Sequence, residues 1–363
     1  MNTSSSVPFS RVHIVGTGLV GTSAGLALKA RGVHVTLEDS SPSALSLAVD
    51  YGAGQAPKSG EDEPDLIIVA TPPDVVGDVV ISQLMAHRGS LVMDVASVKQ
   101  GVLEKVLAHA DLAPRFVPSH PMAGRERGGA VSGRSDLFVA RPWVICEGTE
   151  EAVAQVSQLV VGLGAIPVRM SAAEHDDAVA LMSHTPQLVS TLMATRLVNA
   201  SAEALGLAGG GVRDVTRVAA SDPALWVQIL GANAPAVVRQ LKELRHDLDE
   251  TVRALDDLTQ PGARKALAEV MGRGVEGVSR LPGKHGVSSA FGSLLVVIDD
   301  TPGQLASLLT QLGDWGINLE DLRLEHSPGA EVGFVELTLA KESVSGVEDQ
   351  LRAGGWRIAG EAE

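Results

Sequence analysis

A glycine-rich turn near the start of the chain has the residue spacing of a dinucleotide-binding site. The run GTGLVG (16–21) follows an apolar run at 12–16, opens an Ala- and Leu-rich segment, and is followed by a β-branched run at 33–39. In a strand-turn-helix unit, Gly16 allows a tight turn, Gly18 lets the backbone approach a pyrophosphate, and Gly21 lets the helix pack closely on the strand. The N–H groups at the helix N-terminus meet the phosphate charge. This context, more than the GxGxxG spacing alone, predicts a bound dinucleotide.

An acidic residue at the end of the second strand predicts which dinucleotide binds. Asp39 lies close to the usual spacing of about 20 residues for the carboxylate that binds the adenosine ribose. The neighbouring Glu38 is the alternative, because strand alternation lets only one of the two face the ribose. Either carboxylate repels a 2′-phosphate, so NAD is favoured over NADP. Thr71, in the run ATPP (70–73), ends another strand at the carboxyl edge where the cofactor is expected.

A histidine after the fifth apolar run could transfer a proton. His120 follows RFVPS (115–119) at the carboxyl edge of the predicted sheet, where ligands bind in such folds. An imidazole with an ordinary pKa near about 6.5 accepts a proton at neutral pH. The residues alone support equally well a loop histidine that caps a turn.

A second group of polar residues falls on one helical segment, HDDAVALMSHTPQ (175–187). On an unbroken α-helix, Asp176 and Gln187 lie within roughly 20° of each other, since 11 residues turn by about 1100°. His184 is an i,i+3 neighbour of Gln187. We expect this face to project into the cleft between the first two domains, although Pro186 favours a kink that loosens the alignment.

The elements that must position these groups predict three domains. Residues 1–170 alternate apolar and Ala/Leu-rich runs, which predicts a Rossmann-type, doubly wound α/β sheet with six strands. Residues 171–285 predict an all-helical substrate and dimerisation domain, with an apolar stripe at steps of three and four along its second long helix. Residues 293–363 predict a βαββαβ, ferredoxin-like domain. The predicted strands are 12–16, 33–39, 65–72, 90–97, 115–122 and 142–148, the predicted long helices are 174–205 and 233–258, and a Gly-rich linker is predicted within 259–292.

The composition excludes several classes of protein. The chain has 29 Lys and Arg against 44 Asp and Glu, a net charge of −15, which leaves no basic surface for nucleic acid. Cys146 is the single cysteine, and no CxxC or Cys/His cluster predicts a metal site. The N-terminus lacks the features of a signal peptide, and no stretch of about 18 apolar residues predicts a membrane span. We therefore expect a cytoplasmic protein.

Four further segments, in order after the glycine-rich turn, resemble the prephenate/arogenate dehydrogenase family of tyrosine biosynthesis. They are DVASVK (94–99), SHPMAGRERGG (119–129), HDDAVALMSHTPQ (175–187) and RDVTRVAASDPALW (213–226). The chain from Ser293 resembles an ACT domain. The resemblance covers nearly the whole chain, and five motifs in order across three domains are specific although each alone is weak. It implies a homodimeric enzyme that uses NAD to convert prephenate to 4-hydroxyphenylpyruvate, with arogenate as the alternative substrate.

The resemblance also implies a role for each candidate residue. His120 takes the proton, or a strong hydrogen bond, from the ring 4-hydroxyl while hydride leaves the same carbon and the ring carboxylate is lost as CO2. Ser97 contacts the catalytic histidine and the nicotinamide, although a helix-capping serine is the alternative. Arg217 binds a substrate carboxylate, because bidentate capture favours arginine, and Arg213 is the alternative. The other substrate-binding residues are His184, Gln187, Glu126, Asp214 and Trp226, of which Trp226 is as easily a core residue. The cofactor-binding residues are Gly16, Gly18, Leu19, Val20, Gly21, Asp39, Thr71 and Ser97, and no metal is needed.

Gln187 departs from the family pattern and leaves the substrate side chain open. Many members of the family have a third histidine where this chain has Gln187. A glutamine is a neutral donor and acceptor in place of an ionisable imidazole, so it is compatible with the keto acid prephenate or the amino acid arogenate.

The tail predicts regulation by a small molecule. The turn Asp300–Gly303 and the segment Trp315–Asn318 resemble an ACT effector-binding pattern, which implies that tyrosine binds there and inhibits. A domain that only adds oligomer contacts is the alternative.

Two other classes of function compete with this hypothesis. A β-hydroxyacid dehydrogenase also joins a Rossmann domain to helices, but it needs a catalytic lysine, and no lysine lies between Arg169 and Lys242. A non-catalytic NAD sensor with an amino-acid-binding tail is the third hypothesis, and it would not depend on His120.

Overall fold

The structure is a computed structural model that describes residues 7–124, 128–281, 291–326 and 332–359. The chain divides into two compact units, one of Met1–Ala200 with Val215–Glu243 and the other of Ser201–Asp214 with Leu244–Glu363. Within the described ranges, no helix combines the length and the apolar character needed to cross a membrane.

A five-stranded parallel sheet, in the order β2-β1-β3-β4-β5, forms the first layer of the first unit. Its strands are β1 (Arg11–Val15), β2 (His34–Glu38), β3 (Leu66–Val69), β4 (Leu91–Asp94) and β5 (Phe116–Val117). Helices connect them, namely α1 (Leu19–Lys29), α2 (Pro42–Asp50), α3 (Val76–Ala86) and α4 (Gln100–Leu107). The central strands β3 and β4 are buried along their whole length, as expected when helices cover both faces. The strand order reverses between β1 and β3, so their carboxyl ends form the crevice in which such sheets bind ligands.

The sixth predicted strand does not join this sheet, so the prediction of one six-stranded sheet was wrong. After Val117 the chain enters a second sheet, composed of β6 (Ser119–Pro121), β7 (Pro142–Ile145) and β8 (Ile166–Arg169), with α5 (Glu150–Gly162) between the last two. Strands β6 and β7 are antiparallel, and β7 and β8 are parallel. Pro118 has no N–H to donate to a sheet ladder, and it separates β5 from β6. The predicted strand at 115–122 is therefore divided between the two sheets.

The helix predicted over 174–205 is shorter and interrupted. It consists of α6 (Ala172–Val179), a π-helical turn (Ala180–His184) and α7 (Thr185–Arg196). Pro186 lies in the first turn of α7. Proline is tolerated there because a backbone N–H in the first turn has no acceptor within the α-helix, so none is lost. The π-helical turn holds one more residue than an α-helical turn and rotates all later positions. The premise of an unbroken α-helix was therefore wrong, and the alignment of Asp176 with Gln187 no longer follows from it.

A helix occupies half of the segment predicted to be a linker, and this prediction was also wrong. Helix α12 covers Ala263–Ser279 and includes three glycines. Nothing lies within 4 Å of a Cβ added to Gly272, Gly274 or Gly277, so close packing does not require them. The run of Ala, Leu, Lys, Glu and Met before them favours a helix, which offsets a cost of about 1 kcal/mol for each glycine. Residues 282–290 of the predicted linker lie outside the described residues. Four helices lie between α7 and α12 in the sequence, namely α8 (Ala202–Gly206), α9 (Gly210–Thr216), α10 (Pro223–Ala232) and α11 (Ala234–Asp256).

A four-stranded antiparallel sheet with two helices ends the described chain. The elements are β9 (Phe291–Asp299), α13 (Gln304–Asp314), β10 (Asp321–His326), β11 (Val332–Ala340), α14 (Val344–Ala353) and β12 (Arg357–Ile358). The sheet order is β10-β11-β9-β12. Buried and half-buried residues alternate along β9 and β11, and the buried ones form a core with residues of α13 and α14. One face of this sheet is therefore covered by the two helices.

Candidate active site

The glycine-rich turn after β1 is closed at two glycines and open at the third. Gly16 has φ +100°, and a Cβ on it would lie 2.5 Å from the carbonyl oxygen of Ala70. A Cβ on Gly21 would lie 1.9 Å from the carbonyl oxygen of Gly16. At Gly18, nothing lies within 4 Å of the same position, which is beside the N-terminus of α1. The turn therefore leaves space for a phosphate where the helix N–H groups are exposed.

Asp39, and not Glu38, faces the glycine-rich turn. Its Oδ2 accepts hydrogen bonds from the N–H and the hydroxyl of Thr17, both at 2.7 Å, and its Oδ1 accepts from the N–H of Ser41 at 2.8 Å. Burial raises the pKa of Asp39, but these hydrogen bonds outweigh burial and lower the pKa below its ordinary value. The side chain of Glu38 lies instead 3.2 Å from Nε2 of His13. The ionised Asp39 is therefore the carboxylate available beside the turn.

Thr71 supplies a buried polar atom without a hydrogen-bond partner. Its Oγ1 is buried at the end of β3 and makes no hydrogen bond within the described part of the chain. An unsatisfied buried hydroxyl costs about 1–3 kcal/mol, so a ligand that bonds to it is favoured. With the open space at Gly18 and the carboxylate of Asp39, Thr71 makes this end of the sheet fit a dinucleotide. Leu19 and Val20 begin α1 at the same place and are half-buried.

His120 stands at one end of a chain of hydrogen bonds that joins β6 to α6. Its Nδ1 lies 2.9 Å from Nε2 of His175, and Nδ1 of His175 lies 2.8 Å from Oδ1 of Asp176. The two imidazole rings meet edge to face with centroids 5.1 Å apart. The Asp176 carboxylate also accepts from the backbone N–H groups of Lys99, at 2.8 Å, and Gln100, at 2.9 Å. The chain therefore connects β6, α6 and the start of α4.

Burial is the main reason that His120 is neutral. Burial lowers the pKa of His120 well below its ordinary value, and the neighbouring charges of His175, Lys99 and His184 lower it further. Burial raises the pKa of Asp176, but hydrogen bonds from His175 and from the backbone at the start of α4 outweigh burial and lower it. At pH 7 the site therefore holds a neutral imidazole, which can accept a proton, and an ionised carboxylate.

A buried ion pair supports the loop between β4 and α4. Lys99 and Asp94 are both fully buried, and the ammonium of Lys99 bonds directly to the Asp94 carboxylate. Asp94 also accepts from the backbone N–H groups of Ser119, at 3.2 Å, and Ala96, at 3.1 Å. Burial raises the pKa of Asp94, and the charge of Lys99 opposes that rise. Sequence reasoning did not select Lys99 or Asp94, although a lysine and an aspartate within one apolar segment were a signal that could have identified them.

His184 lies at the end of the π-helical turn and belongs to a second hydrogen-bonded group. The Nδ2 of Asn233 donates to the carbonyl oxygen of Asp176 at 2.7 Å and lies 3.1 Å from Nδ1 of His184. The rings of His184 and Trp226 meet edge to face with centroids 6.1 Å apart. Burial lowers the pKa of His184 to about 4, so its imidazole is neutral at pH 7. Because Nδ1 accepts from Asn233, Nε2 carries the hydrogen and can donate to a ligand. Sequence reasoning did not select Asn233, whose position between two helices carries no recognisable signal.

The remaining predicted residues occupy several places. Arg217 is exposed and begins a 3-10 turn, Arg217–Ala219. This turn packs against α7, the helix that follows His184 in the sequence. Gln187 is buried in the first turn of α7, and Ser97 is half-buried in the loop between β4 and α4. Asp214 is exposed on α9, in the other unit of the chain. Glu126 lies outside the described residues, and its role stays a prediction.

The chain is similar to known proteins over most of its length. Residues 24–168 match the nucleotide-binding domain of prephenate dehydrogenase, and residues 171–273 match its dimerization domain. The chain is 36% identical over 357 residues to a probable prephenate dehydrogenase of Streptomyces niveus, which covers 94% of this chain and 98% of that protein. Prephenate dehydrogenase of A. aeolicus, in complex with hydroxyphenyl propionate and NAD+, has a similar fold, with a TM-score of 0.64, 24% identity, and coverage of 74% of this chain and 98% of that one. Synechocystis arogenate dehydrogenase has a TM-score of 0.60, 26% identity, and coverage of 73% of this chain and 99% of that one.

Proposed function

Because the chain belongs to the prephenate dehydrogenase family, we propose that it catalyses the NAD-dependent oxidative decarboxylation of prephenate to 4-hydroxyphenylpyruvate. The observation that carries the proposal is the neutral imidazole of His120, held by His175 and Asp176. A neutral imidazole is what removal of a hydroxyl proton requires at neutral pH.

His120 is the general base in this reaction. When bound, NAD would supply the acceptor for the hydride that leaves the ring carbon bearing the hydroxyl. His120 takes the hydroxyl proton, and the bond from the ring to its carboxylate breaks as CO2 leaves. The electron pair of that bond completes the aromatic ring and leaves a phenolate oxygen, to which the proton returns. The low pKa of His120 keeps the imidazole unprotonated before the reaction. No covalent link to the protein forms in this scheme.

The cofactor site consists of the glycine-rich turn and the two polar groups beside it. Gly16 and Gly21 allow the close backbone packing of the turn, and Gly18 leaves room for the pyrophosphate. Asp39 binds the adenosine ribose and repels a 2′-phosphate, which favours NAD. Leu19, Val20, Thr71 and Ser97 complete the proposed set.

The substrate site lies around His184 and α7. His184 donates from Nε2, Trp226 packs against its ring, and Arg217 binds a carboxylate of the substrate. The buried Gln187 is neutral, so it is compatible with the keto group of prephenate or the ammonium group of arogenate. Arogenate therefore stays the alternative substrate, and Glu126 and Asp214 stay proposed contacts.

We also propose that the protein is a homodimer formed through α11 and α12. Apolar side chains recur at steps of three and four along α11 and remain 42–58% exposed. Those on α12 are 65–73% exposed. The residues are Leu244, Leu248, Val252 and Leu255 on α11 and Met271, Val275 and Val278 on α12. An apolar helix stripe that faces water favours a partner helix, and these residues lie in or next to the segment that matches a dimerization domain.

The C-terminal sheet supports the proposal of a ferredoxin-like ACT domain that binds tyrosine. Its βαββαβ order and the sheet order β10-β11-β9-β12 are those of a ferredoxin-like fold. A cavity of about 710 Å³ lies beside Trp315–Asn318, and its lining also includes Glu342 and Gln350. An aromatic ring and a carboxylate in one cavity suit an aromatic amino acid, whose ammonium group pairs with the carboxylate. The turn Asp300–Gly303 is not among the residues that line this cavity.

One experiment tests the activity and its substrate. Reduction of NAD or NADP is followed by absorbance with prephenate and arogenate supplied separately. We expect turnover of prephenate with NAD, and turnover of neither substrate would overturn the assignment. A His120→Asn variant separates the enzyme from a non-catalytic sensor, because a sensor keeps its cofactor affinity and has no turnover to lose. Addition of tyrosine to the same assay tests the regulatory proposal, which unchanged activity would contradict.

A further inference from the structure

The hydrogen-bond chain behind His120 determines which of its two ring nitrogens can act as the base. We propose that His175 and Asp176 are positioning residues that hold His120 in one tautomer, with the hydrogen on Nδ1 and the free electron pair on Nε2. The inference rests on the proposed function for its catalytic meaning, but the tautomer itself is a property of the protein alone.

The argument starts at the carboxylate. Both oxygens of Asp176 accept backbone hydrogen bonds, and its lowered pKa keeps the group ionised, so it can only accept from His175. Nδ1 of His175, 2.8 Å away, must therefore carry a hydrogen. In a neutral imidazole, Nε2 of His175 then has the electron pair, and Nδ1 of His120, 2.9 Å away, must donate to it. The base is thus Nε2 of His120.

The same contacts hold the ring of His120 in place. The side chain of His175 is fully buried, and Asp176 is bound to the N-terminal end of α4 through its side chain and to Asn233 through its carbonyl oxygen. Neither partner can turn without breaking several buried hydrogen bonds, which is costly. A hydrogen bond made by one ring nitrogen of a histidine sets which of its two nitrogens is protonated.

The arrangement also serves the charge that forms during the reaction. When Nε2 of His120 takes the hydroxyl proton, the ring becomes cationic and its Nδ1 hydrogen still points to His175. The negative charge of Asp176 lies at the far end of the chain and stabilises that cation. Lys99 acts in the opposite direction, since its positive charge lowers the pKa of His120.

Two substitutions of His175 separate positioning from packing. Phenylalanine keeps an aromatic ring but has no nitrogen, so His120 loses its acceptor. Glutamine has a carbonyl oxygen that can accept from His120 and an amide that can donate to Asp176, and it therefore imitates both ends of the imidazole. A purely structural role predicts that Phe is tolerated at least as well as Gln, whereas positioning predicts the reverse.

The kinetic test compares these variants in the full-length protein with NAD and the turned-over substrate. We expect His175→Phe to lower kcat by about 100-fold with KM changed by less than about threefold, and His175→Gln to recover at least about tenfold of the loss. His109→Phe, a half-buried histidine on another part of the first unit, is the matched control. Equal kcat values for the Phe and Gln variants would overturn the proposal.

A spectroscopic measurement decides the tautomer without turnover. In protein labelled with 15N-histidine, the signals of His120 are assigned by comparison with His120→Asn. We expect Nδ1 protonated and Nε2 unprotonated at pH 7, and loss of this preference in His175→Phe. A hydrogen on Nε2 in the unaltered protein would sink the inference even if prephenate is converted. The expected tautomer in a protein that converts neither substrate would instead support the inference and remove only the proposed function.

Discussion

The glycine-rich turn and the histidine chain, the two chemical regions of the first unit, are built in different ways. Apart from Ala70 and Thr71 after β3, the groups that shape the cofactor end come from residues 16–41, and the hydrogen bonds of Asp39 join it to Thr17 and Ser41. Two hydrogen bonds of the histidine chain, from His120 to His175 and from Lys99 to Asp176, join residues 55 and 77 positions apart in sequence. A local unit can be recognised from spacing, whereas an assembled one exists only when three separate elements meet. A substitution in the glycine-rich turn should therefore affect only that turn. A substitution in the histidine chain should affect all of the elements that the chain joins.

Removal of the proposed base should give the largest effect. We expect His120→Asn to lower kcat by about 10²- to 10⁴-fold, because asparagine cannot take up the hydroxyl proton. The affinity for NAD should stay within about threefold of the unaltered protein, since the glycine-rich turn is untouched. Steady-state kinetics and NAD titration by fluorescence measure the two quantities. A variant that retains more than about one tenth of kcat would show that His120 is not the base.

Breaking the buried ion pair should affect stability across the assembled region. Lys99→Met leaves the Asp94 carboxylate buried without its partner, and we expect a loss of about 3–5 kcal/mol in the free energy of unfolding. The double variant Lys99→Met with Asp94→Asn removes the stranded charge and should recover a large part of that loss. Urea unfolding followed by circular dichroism measures both. If the single and double variants are equally unstable, charge burial is not the cause.

Two glycines of the local region should respond in opposite ways to the same substitution. A methyl group on Gly21 meets the Gly16 carbonyl, so Gly21→Ala should lower stability by about 1–3 kcal/mol. Gly18 has φ −68° and open space around it, so Gly18→Ala should fold normally and weaken NAD binding instead. Thermal unfolding and NAD titration of both variants provide the measurement. Similar losses of stability in the two variants would contradict this assignment of roles.

The pH dependence of stability should report the burial of His184. Its folded pKa of about 4 lies below the ordinary value, so the unfolded chain binds a proton that the folded protein does not as pH falls from about 6.5 to about 4. As the pH falls through that window, this residue should lower the free energy of unfolding by up to about 1.4 kcal/mol per pH unit. Above the window, this residue should cause no change of stability with pH. His184→Gln should make the decline shallower in urea unfolding, whereas the exposed His246→Gln should not. Identical slopes for the two variants would contradict a neutral, buried His184.

Sequence reasoning was most successful where the relevant contacts are local. The glycine-rich turn and the strands β1 to β4 follow from short-range patterns. The choice between Asp39 and Glu38 stayed open, because alternation says that one of two neighbours faces the ribose but not which. The structure decides it through Thr17, which binds Asp39, and His13, which binds Glu38.

The errors have physical causes of their own. The predicted sixth strand was assigned to the first sheet because apolar runs do not reveal their partners, and Pro118 divides the preceding run between two sheets. The glycine count over 259–292 suggested a linker, although the helix-forming residues at the start of α12 outweigh it. The π-helical turn Ala180–His184 comes directly before the helix turn that contains Pro186. The spacing of apolar residues along the sequence does not show that the helix changes to a π-helical turn at this point.

By itself, the sequence determined the strand-turn-helix unit, the net charge of −15, and the family to which the chain belongs. It also identified His120 and His184 as candidates for chemistry. Only the tertiary structure decided that His175 serves His120, that Lys99 is buried against Asp94, and that Asn233 orients His184. The physical reason is that hydrogen-bond direction and desolvation depend on which distant groups come within about 3 Å, and neither is encoded in the spacing of residues along the chain.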